Sequence, residues 1–490
     1  MGPAALVYTF GDFQLDGSKK RLTHGGDPVA LTEHQADVLL HLLASAGEVV
    51  SKNALIDAAW PGIAVTDNSL EQAVSALRRA LGDSRARTKL IETVPRRGYR
   101  FRGDVSRTDA KTSDAELAAL LEPYRALLQG RAALETLERD AVLGARQAFE
   151  EAVAKAPHYA PAHLGLANAC VMYFESTRAD ETPDVDALAR AGNHAREACR
   201  LDAQSGDAWA TLALVLHHSR LGVQAIAAAR RAVMLEPDNW RHHLRLAYVA
   251  WGEERLRAAQ RTLALFPGFA LAHWLCATVY IARQALDLAE RELRAGAAAQ
   301  DAQQGAHAFS SVGSHWLLGL VHLARGDEGL ALDAFRRELS FETAGQLFAR
   351  ECAANTWYAI GALDLRQGKR ADAAAAFQQA RDRLPAHVLA MIGLSLAQDA
   401  AGQEALHAAI QRRLEQLSAS GSILDAAMGR AALAVAAGGP DDAAPILDAT
   451  LSTAPGGSGG WLIPVDPLLN VPAHQPSFAH VLARLRTRAG

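Results

Sequence analysis

The chain has few cysteines and no long apolar run, and both shortages exclude classes of protein. Its four cysteines among 490 residues are widely spaced and form no Cys-x-x-Cys pair, which argues against a zinc ribbon or a disulfide framework. No apolar stretch approaches the ~20 residues that span a bilayer, and the first residues lack the pattern of a secretion signal. We therefore expect reduced thiols, no membrane contact and a cytoplasmic protein.

The sequence also lacks the motifs of common enzyme classes. Gly368-Lys369 has no upstream glycine at the spacing of a phosphate-binding loop, and neither a Gly-x-Ser-x-Gly elbow nor a His-Glu-x-x-His zinc motif occurs. The pairs His217-His218 and His242-His243 are adjacent residues, which diverge by about 100° on a helix, and no carboxylate at a useful spacing completes a ligand set. We expect no catalytic residues, no metal, no cofactor and no enzymatic activity.

Positive charge is concentrated in one short segment. Residues 78–102 contain nine arginines and lysines but only two acidic residues, whereas the whole chain has a formal net charge of -4. The rest of the chain is therefore acidic. A basic strip in an acidic protein indicates a local site for a polyanion.

The basic strip begins on a predicted amphipathic helix and ends on a predicted hairpin. Apolar residues recur at helical spacing at Leu70, Val74, Leu77 and Leu81, which leaves Asn68, Gln72, Ser75 and Arg79 on other faces. Two β-prone runs, 89–93 and 98–101, then flank Val94-Pro95-Arg96-Arg97. The pattern predicts a helix with one face for a core, followed by a hairpin with two arginines at its tip.

The preceding residues complete a domain of about 100 residues, a common size. Residues 6–31 alternate short β-type pieces with turns, which predicts a small antiparallel sheet. Thr32 to Gln35 fits a capping box that opens one helix, and Ser51 caps a second helix that ends at Trp60. A sheet, three helices and a basic hairpin are the plan of a winged helix, whose third helix fits a DNA major groove.

Three segments resemble the OmpR/PhoB-type winged helix over its whole length: LTEHQADVLLHLLASAGEVVSKNALIDAAW, NSLEQAVSALRRALGD and IETVPRRGYRF. The resemblance implies a four-stranded N-terminal sheet, a recognition helix, and operators that are often tandem repeats. By their positions in that family, residues of the helix and the wing are expected to face DNA. Arg78 of the basic strip is a further candidate for DNA contact. The candidate DNA-binding residues are Asn68, Ser69, Gln72, Ser75, Arg78, Arg79, Arg96 and Arg97. For any one arginine, the alternative is that it merely solvates a helix end.

After about residue 117 the sequence becomes a series of Ala- and Leu-rich amphipathic helices. Residues at the tetratricopeptide positions, with a period of about 34 residues, are Trp209, Leu212, Ala213, Leu216, Ala225, Ala229, Ala232 and Pro237, and again Trp357, Ile360, Gly361, Ala373, Phe377, Ala380 and Pro385. Weaker units include His315, Leu318, Gly319, Ala331 and Phe335. The resemblance to tetratricopeptide repeats implies a solenoid with a groove for a protein or peptide. A final amphipathic helix around Phe478 is expected to cap the solenoid.

These patterns predict a multidomain protein, an α+β winged helix-turn-helix followed by an all-α tetratricopeptide-repeat solenoid. We expect the winged-helix DNA-binding domain at residues 1–105, a linker at 106–116, repeats at 117–455 and a capping extension at 456–490. The combination resembles the one-component transcriptional regulators of the ToxR, CadC and HilA group. Because the chain opens directly with the winged helix, we expect no phosphorylatable receiver domain.

The resemblance implies double-stranded promoter DNA as the partner of the first domain, and a protein or peptide as the partner of the groove. Contact with RNA polymerase and homo-oligomerisation are further implied interactions. The alternative is a tetratricopeptide interaction scaffold whose winged helix no longer binds DNA. The concentrated basic strip favours the regulator, since a scaffold has little use for it.

Overall fold

The computed structural model describes residues 6–60, 67–83, 90–109, 125, 127–134, 138–303, 312–342, 347–457 and 459–490. The chain divides into two compact units, residues 1–121 and residues 122–490. The first unit contains strands and helices, and the elements described in the second are all helices. The predicted fold class, an α+β domain followed by an all-α region, is confirmed.

An antiparallel sheet forms one side of the first unit. Its strands, in the spatial order β4-β3-β2-β1-β8, are β1 Leu6–Phe10, β2 Phe13–Asp16, β3 Arg21–His24, β4 Asp27–Val29 and β8 Ser106–Asp109. Tyr8 lies opposite Leu15, which in turn lies opposite Leu22, and all three are buried. One face of the sheet therefore supplies a row of apolar side chains to the core.

The fifth strand, β8, was missed in the sequence, where a four-stranded sheet and a linker from residue 106 were expected. In the structure Thr9 of β1 faces Ser106 of β8 in an antiparallel register. The Arg107 guanidinium also donates to the carbonyl of Ala44 at 2.8 Å. Because Ser106-Arg107-Thr108-Asp109 carries no large apolar side chain, it lacks the alternation that identifies a strand. It pairs because β1 offers an edge with free backbone groups.

Three helices and a second, smaller sheet complete the first unit. The helices are α1 Glu33–Ala44, α2 Lys52–Ala59 and α3 Asp67–Ala80, and the strands, in the order β5-β7-β6, are β5 Val49–Val50, β6 Ile91–Val94 and β7 Gly98–Phe101. The predicted capping box opens α1, since the Thr32 hydroxyl accepts from the Gln35 N–H at 3.3 Å and the Gln35 side chain accepts from the Thr32 N–H at 3.0 Å. Leu39, Leu77 and Phe101 are fully buried in one core shared by helices and strands.

The second unit is built from consecutive helices. They are α4 Arg139–Lys155, α5 Ala160–Thr177, α6 Val185–Leu201, α7 Gly206–His218, α8 Gly222–Leu235, α9 Trp240–Val249, α10 Gly252–Leu265, α11 Ala270–Ala282, α12 Leu286–Ala302, α13 Ser314–Ala324, α14 Glu328–Leu339, α15 Ala349–Arg366, α16 Arg370–Arg383, α17 Val388–Ala397, α18 Ala400–Ala419, α19 Ile423–Ala436, α20 Pro440–Thr453 and α21 Gln475–Ala489. Each helix packs mainly on its neighbours in sequence, with α5 on α6, α7 on α8 and α15 on α16 among the most extensive contacts. This is the helix-pair stacking of a repeat solenoid.

Phenylalanine packs onto glycine at the repeat positions that the sequence identified. A Cβ added at Gly319 would lie 2.4 Å from the Phe335 ring, and one at Gly361 would lie 2.9 Å from the Phe377 ring. Both rings are fully buried. The absent side chains let the first helix of each pair approach the ring on the second.

The residues after α20 return to the middle of the second unit. A 3₁₀ helix at Ile463–Val465 packs on α11 and α13, and α21 packs on α20 and also touches α10 and α11. Phe478 of α21 is fully buried in the core cluster that contains Leu447 of α20. Among the described residues, no helix combines the length and apolar character needed to cross a membrane.

Candidate nucleic-acid interface

Helix α3 has one buried and one exposed face, as its sequence predicted. Leu70, Val74, Leu77 and Leu81 are at most 5% exposed. Gln72, Ser75 and Arg79 are exposed, and Ser69 is half-buried. The apolar face fixes the helix on the domain, which leaves the polar side chains free for a partner.

Two parts of this surface lie outside the described residues. Asn68 belongs to the backbone of α3, but its side chain is not among those described. The segments 61–66 and 84–89, which flank α3, are also outside the described ranges. Arg85, Arg87 and Lys89 of the basic strip fall in the second of them.

The hairpin after α3 is formed by β6 and β7, with two exposed arginines in its turn. Val94 pairs with Gly98, and the connecting Pro95, Arg96 and Arg97 are all exposed. A Cβ at Gly98, where φ is +137°, would lie 1.9 Å from the Val50 carbonyl oxygen on the adjoining strand β5. Only glycine allows this close approach, which seats the hairpin against the domain.

Arg78 lies between the helix and the hairpin and not on the exposed face of α3. Its Nε and Nη2 donate to the carbonyl oxygen of Ile91 at 3.1 and 2.8 Å, and Nη2 also donates to the Thr93 hydroxyl at 2.8 Å. Its guanidinium carbon lies 6.0 Å from the centre of the Tyr99 ring. The side chain thus connects the candidate recognition helix to both strands of the wing.

Asp83 makes a second connection that the sequence reasoning did not identify. Its carboxylate is 2% exposed and accepts hydrogen bonds from the backbone N–H groups of Leu90 and Ile91, the latter at 3.0 Å. A buried carboxylate is stable only when such donors surround it. Together Arg78 and Asp83 fix the start of β6 relative to the end of α3. In the sequence, the only sign of this contact was an acidic residue directly after Gly82.

The described arginines of the strip differ in their surroundings. Arg102 Nε lies 3.0 Å from the Glu92 carboxylate, and Arg100 lies 3.9 Å from it. Arg79, Arg96 and Arg97 are exposed. The side chains best placed to meet a polyanion are therefore those at the end of α3 and at the tip of the wing.

The second unit holds a different polar cluster, where α5 meets α15. Buried Glu175 accepts from His218 at 2.6 Å and lies 3.3 Å from Arg178, which reaches Glu351 at 2.8 Å. Burial alone would raise the pKa of Glu175, but the His218 hydrogen bond and the nearby positive charges lower it to about 2. The carboxylate is thus held ionised between helices far apart in sequence. Among the described residues, no group of His, Cys, Asp and Glu is arranged to hold a metal.

Helix α3, the wing and the capped helices define a winged-helix domain of the OmpR/PhoB type, joined here to a helical-repeat unit. The family model for the C-terminal domain of transcriptional regulatory proteins matches residues 26–101. That match confirms the resemblance predicted from the sequence for the first domain.

Several regulators are similar to this chain over that domain. The "Cholera toxin homolog transcriptional activator" of Vibrio parahaemolyticus is 36% identical over 101 residues, 20% of this chain and 35% of that protein. The "Transcriptional regulator HilA" of Salmonella typhimurium is 38% identical over 96 residues, 19% of this chain and 17% of HilA. The solved DNA-binding domain of Escherichia coli CadC is 31% identical to this chain, with a TM-score of 0.19. The match covers 20% of this chain and 94% of the CadC domain. This chain thus spans about a third or less of the two full-length relatives.

Proposed function

We propose that this protein is a transcriptional regulator that binds promoter DNA in a sequence-specific manner through its first domain. One observation carries the proposal: Gln72, Ser75 and Arg79 are exposed on a helix whose opposite face is locked in the core, beside a wing with two exposed arginines. The similar proteins are a transcriptional activator and a transcriptional regulator, which agrees with the proposal.

We assign different roles to the two parts of this surface. A glutamine side chain can donate to and accept from an adenine edge in the major groove, so Gln72 is the candidate for base recognition. Arg96 and Arg97 on an exposed turn suit phosphates or a narrow minor groove. Ser69, Ser75, Arg79 and Asn68 complete the proposed DNA-facing surface, while Arg78 acts mainly by holding the wing.

The helical-repeat unit is proposed to bind another protein, to pair two copies of the chain, or both. Stacked helix pairs offer a broad inner surface for this kind of contact. Contact with RNA polymerase belongs to the same proposal. A regulator of this kind works where promoter DNA lies, and we place it in the cytoplasm.

The test compares the intact protein with an Arg96→Ala, Arg97→Ala double variant by genome-wide binding and by titration on a recovered binding site. Loss of two phosphate contacts lowers the slope of log affinity against log salt by roughly 0.9 per contact. Gln72→Ala instead changes the sequence preference and leaves that slope nearly constant.

A matched control removes two exposed arginines from the second unit, Arg257→Ala with Arg336→Ala, whose side chains are 72% and 67% exposed. The control has the same net charge as the wing variant but keeps the wing. If the wing variant and the control occupy promoters equally well, the wing does not contact DNA. If no variant or wild-type protein binds DNA, the scaffold alternative replaces the proposal.

A further inference from the structure

The segment that follows α20 returns to helices in the middle of the second unit. Residues 461–474, here called the strap, come after Gly456, Gly457, Gly459 and Gly460 and lead into α21. Part of the strap, Ile463–Val465, packs on α11 and α13. The strap is therefore anchored by α20 at one end and by α21 at the other, with helices of the middle repeats beneath it.

Apolar side chains of the strap fill the surface between these helices. The rings of Trp461 and Trp274 of α11 meet edge to face, with centroids 5.4 Å apart. Val465 is 2% exposed and belongs to the core cluster that contains Leu317 of α13 and Leu363 of α15. Without the strap, these helices would expose a continuous apolar surface.

One buried carboxylate gives this contact chemical specificity. Asp466 is 1% exposed, and its oxygens accept from the Tyr358 hydroxyl of α15 at 3.0 and 3.2 Å. The backbone N–H groups of Leu468 and Leu469 donate to the same carboxylate at 3.1 and 3.0 Å. A buried carboxylate without hydrogen-bond donors is costly. The Tyr358 hydroxyl is one such donor, so it favours a hydrogen-bond acceptor at this position.

Hydrogen bonds outside the strap hold α21, the helix that follows it. Gln284, after α11, donates to the Leu482 carbonyl of α21 at 2.8 Å, and Arg283 donates to the Ala489 carbonyl at 2.9 Å. Helix α21 is thereby fixed at α11 as well as at α20. The strap itself contains Pro464, Pro467 and Pro472, which lack N–H groups, so few backbone hydrogen bonds need to break for it to leave.

We propose that the surface of α11, α13 and α15 beneath the strap is a peptide-binding surface and that the strap is its intramolecular occupant. The partner that displaces it is a protein segment with the same chemistry, a proline-containing stretch with one aromatic residue, aliphatic residues and a carboxylate placed to meet Tyr358. This inference rests on the proposed protein-binding role of the second unit and identifies the class of segment it binds. It requires nothing of the DNA-binding surface.

The first test uses the unmodified full chain and native-state hydrogen exchange. A displaceable strap opens by itself, so the N–H groups of Val465, Leu469 and Asn470 are expected to exchange at least tenfold faster than the interior N–H groups of α13 and α15. Equal rates with equal dependence on denaturant would show that the strap unfolds only with the helices, which would overturn the proposal.

The second test uses a labelled synthetic peptide with the sequence of residues 461–471 and the full chain carrying Trp461→Ala and Asp466→Ala. These changes weaken the intramolecular occupant but leave the helices that bind it intact. The peptide is expected to bind this variant at least tenfold more tightly than the unmodified chain, because the competitor is weakened. Adding Tyr358→Phe to the variant is expected to weaken peptide binding again.

A peptide of scrambled order and a peptide with Asp466→Ala serve as controls. Equal affinity of the native-sequence peptide for both proteins, or no binding to either, contradicts the proposal. If the double variant fails to fold, as judged by its thermal unfolding, the hydrogen-exchange result on the unmodified chain decides. DNA binding enters neither test, so failure here leaves the regulator proposal to be judged separately.

Discussion

At the scale of single residues, Arg78 shows that the helical position of an arginine does not fix its partner. The sequence places Arg78 and Arg79 side by side in a basic strip, and both were candidates for DNA. In the structure Arg79 is exposed, whereas Arg78 donates to Ile91 and Thr93 of the wing. The distinction depends on where β6 passes α3, which helical periodicity does not contain.

We predict that Arg78→Lys lowers DNA affinity about tenfold while the salt slope stays constant. Lysine keeps the charge but cannot donate in several fixed directions. The wing therefore loses hydrogen bonds that connect it to α3. Hydrogen bonds from charged groups are worth roughly 1.5–3 kcal/mol, and about 1.4 kcal/mol is tenfold in affinity. Fluorescence anisotropy titrations at several salt concentrations measure both quantities.

Thr93→Val removes the hydroxyl on the wing that accepts from Arg78. It should also lower DNA affinity, but by less than Arg78→Lys does. Arg100→Lys is the matched control, because Arg100 lies 3.9 Å from Glu92 in a loose ion pair. An Arg78→Lys protein that binds like wild type, combined with an Arg78→Ala protein whose salt slope falls by about 0.9, would assign Arg78 to a phosphate and not to the wing.

Asp466 is a second residue whose surroundings have a measurable consequence. Burial raises its pKa to about 6, and the hydrogen bonds from Leu469, Tyr358 and Leu468 only partly oppose this. As pH falls below 6, the folded state takes up a proton before the unfolded state does, so this group adds stability on acidification. Other groups act oppositely, including Glu175 with its lowered pKa, so the effect must be isolated by comparison.

We expect the free energy of unfolding of wild type, relative to that of Asp466→Asn, to rise by about 2 kcal/mol between about pH 7 and pH 4.5. Asparagine has no proton to gain, and it still accepts from Leu468 and Leu469. Urea unfolding of both proteins at each pH gives the difference. A difference that stays constant with pH would mean that Asp466 has an ordinary pKa in the folded protein.

At the scale of elements, local patterns predicted what local forces determine. The capping box at Thr32, the apolar stripe of α3 and the hairpin around Arg96 all appear as expected, because each depends on residues within a few positions. Strand β8 was missed because its pairing with β1 joins residues about one hundred positions apart, such as Thr9 and Ser106. The polar sequence of β8 does not indicate that it pairs with β1.

The repeat unit adds an element-scale prediction about the glycine that faces Phe335. Gly319→Ala should destabilise the second unit by about 1–3 kcal/mol, since the new Cβ would lie 2.4 Å from a ring that is fully buried and cannot swing away. Gly144→Ala in α4 is the control, because a Cβ there meets no atom within 4 Å. That change should stabilise the protein by roughly 0.5–1 kcal/mol through helix propensity.

Denaturant unfolding followed by far-ultraviolet circular dichroism measures both glycine variants. A Gly319→Ala protein as stable as wild type would show that the helix pair adjusts without cost. The contact between glycine and phenylalanine would then be a consequence of the sequence pattern and not a requirement for packing.

At the scale of the whole molecule, the sequence indicated two parts of the chain. It did not indicate that the strap packs on the middle helices of the second part. Periodicity identified the repeats, because each pair follows the same local rule. The return of the strap to α11 and α13 was not predicted, since the contact of Trp461 with Trp274 spans nearly two hundred residues. The repeat pattern predicted a groove but gave no sign that Ile463–Val465 packs on α11 and α13.

The proposed pairing of two copies through the second unit makes a quantitative prediction for DNA. A first domain that binds one half-site alone should bind two tandem half-sites ~10²–10⁴-fold more tightly when a second copy is linked to it. The intact chain should therefore exceed a fragment of residues 1–121 on a double site and match it on a single site. Electrophoretic mobility shift titrations of both proteins on both sites measure the two ratios.

The fragment must reach beyond residue 109 so that it includes β8, whose pairing with β1 belongs to the first unit. Inserting five base pairs, about half a helical turn, between the half-sites provides the geometric control, since it turns the second site to the opposite side of the DNA. Intact protein and fragment with equal affinity for the double site would exclude pairing as the mechanism. Any influence of the second unit on transcription would then require a bound partner, as proposed, and not a change in the strength of DNA binding.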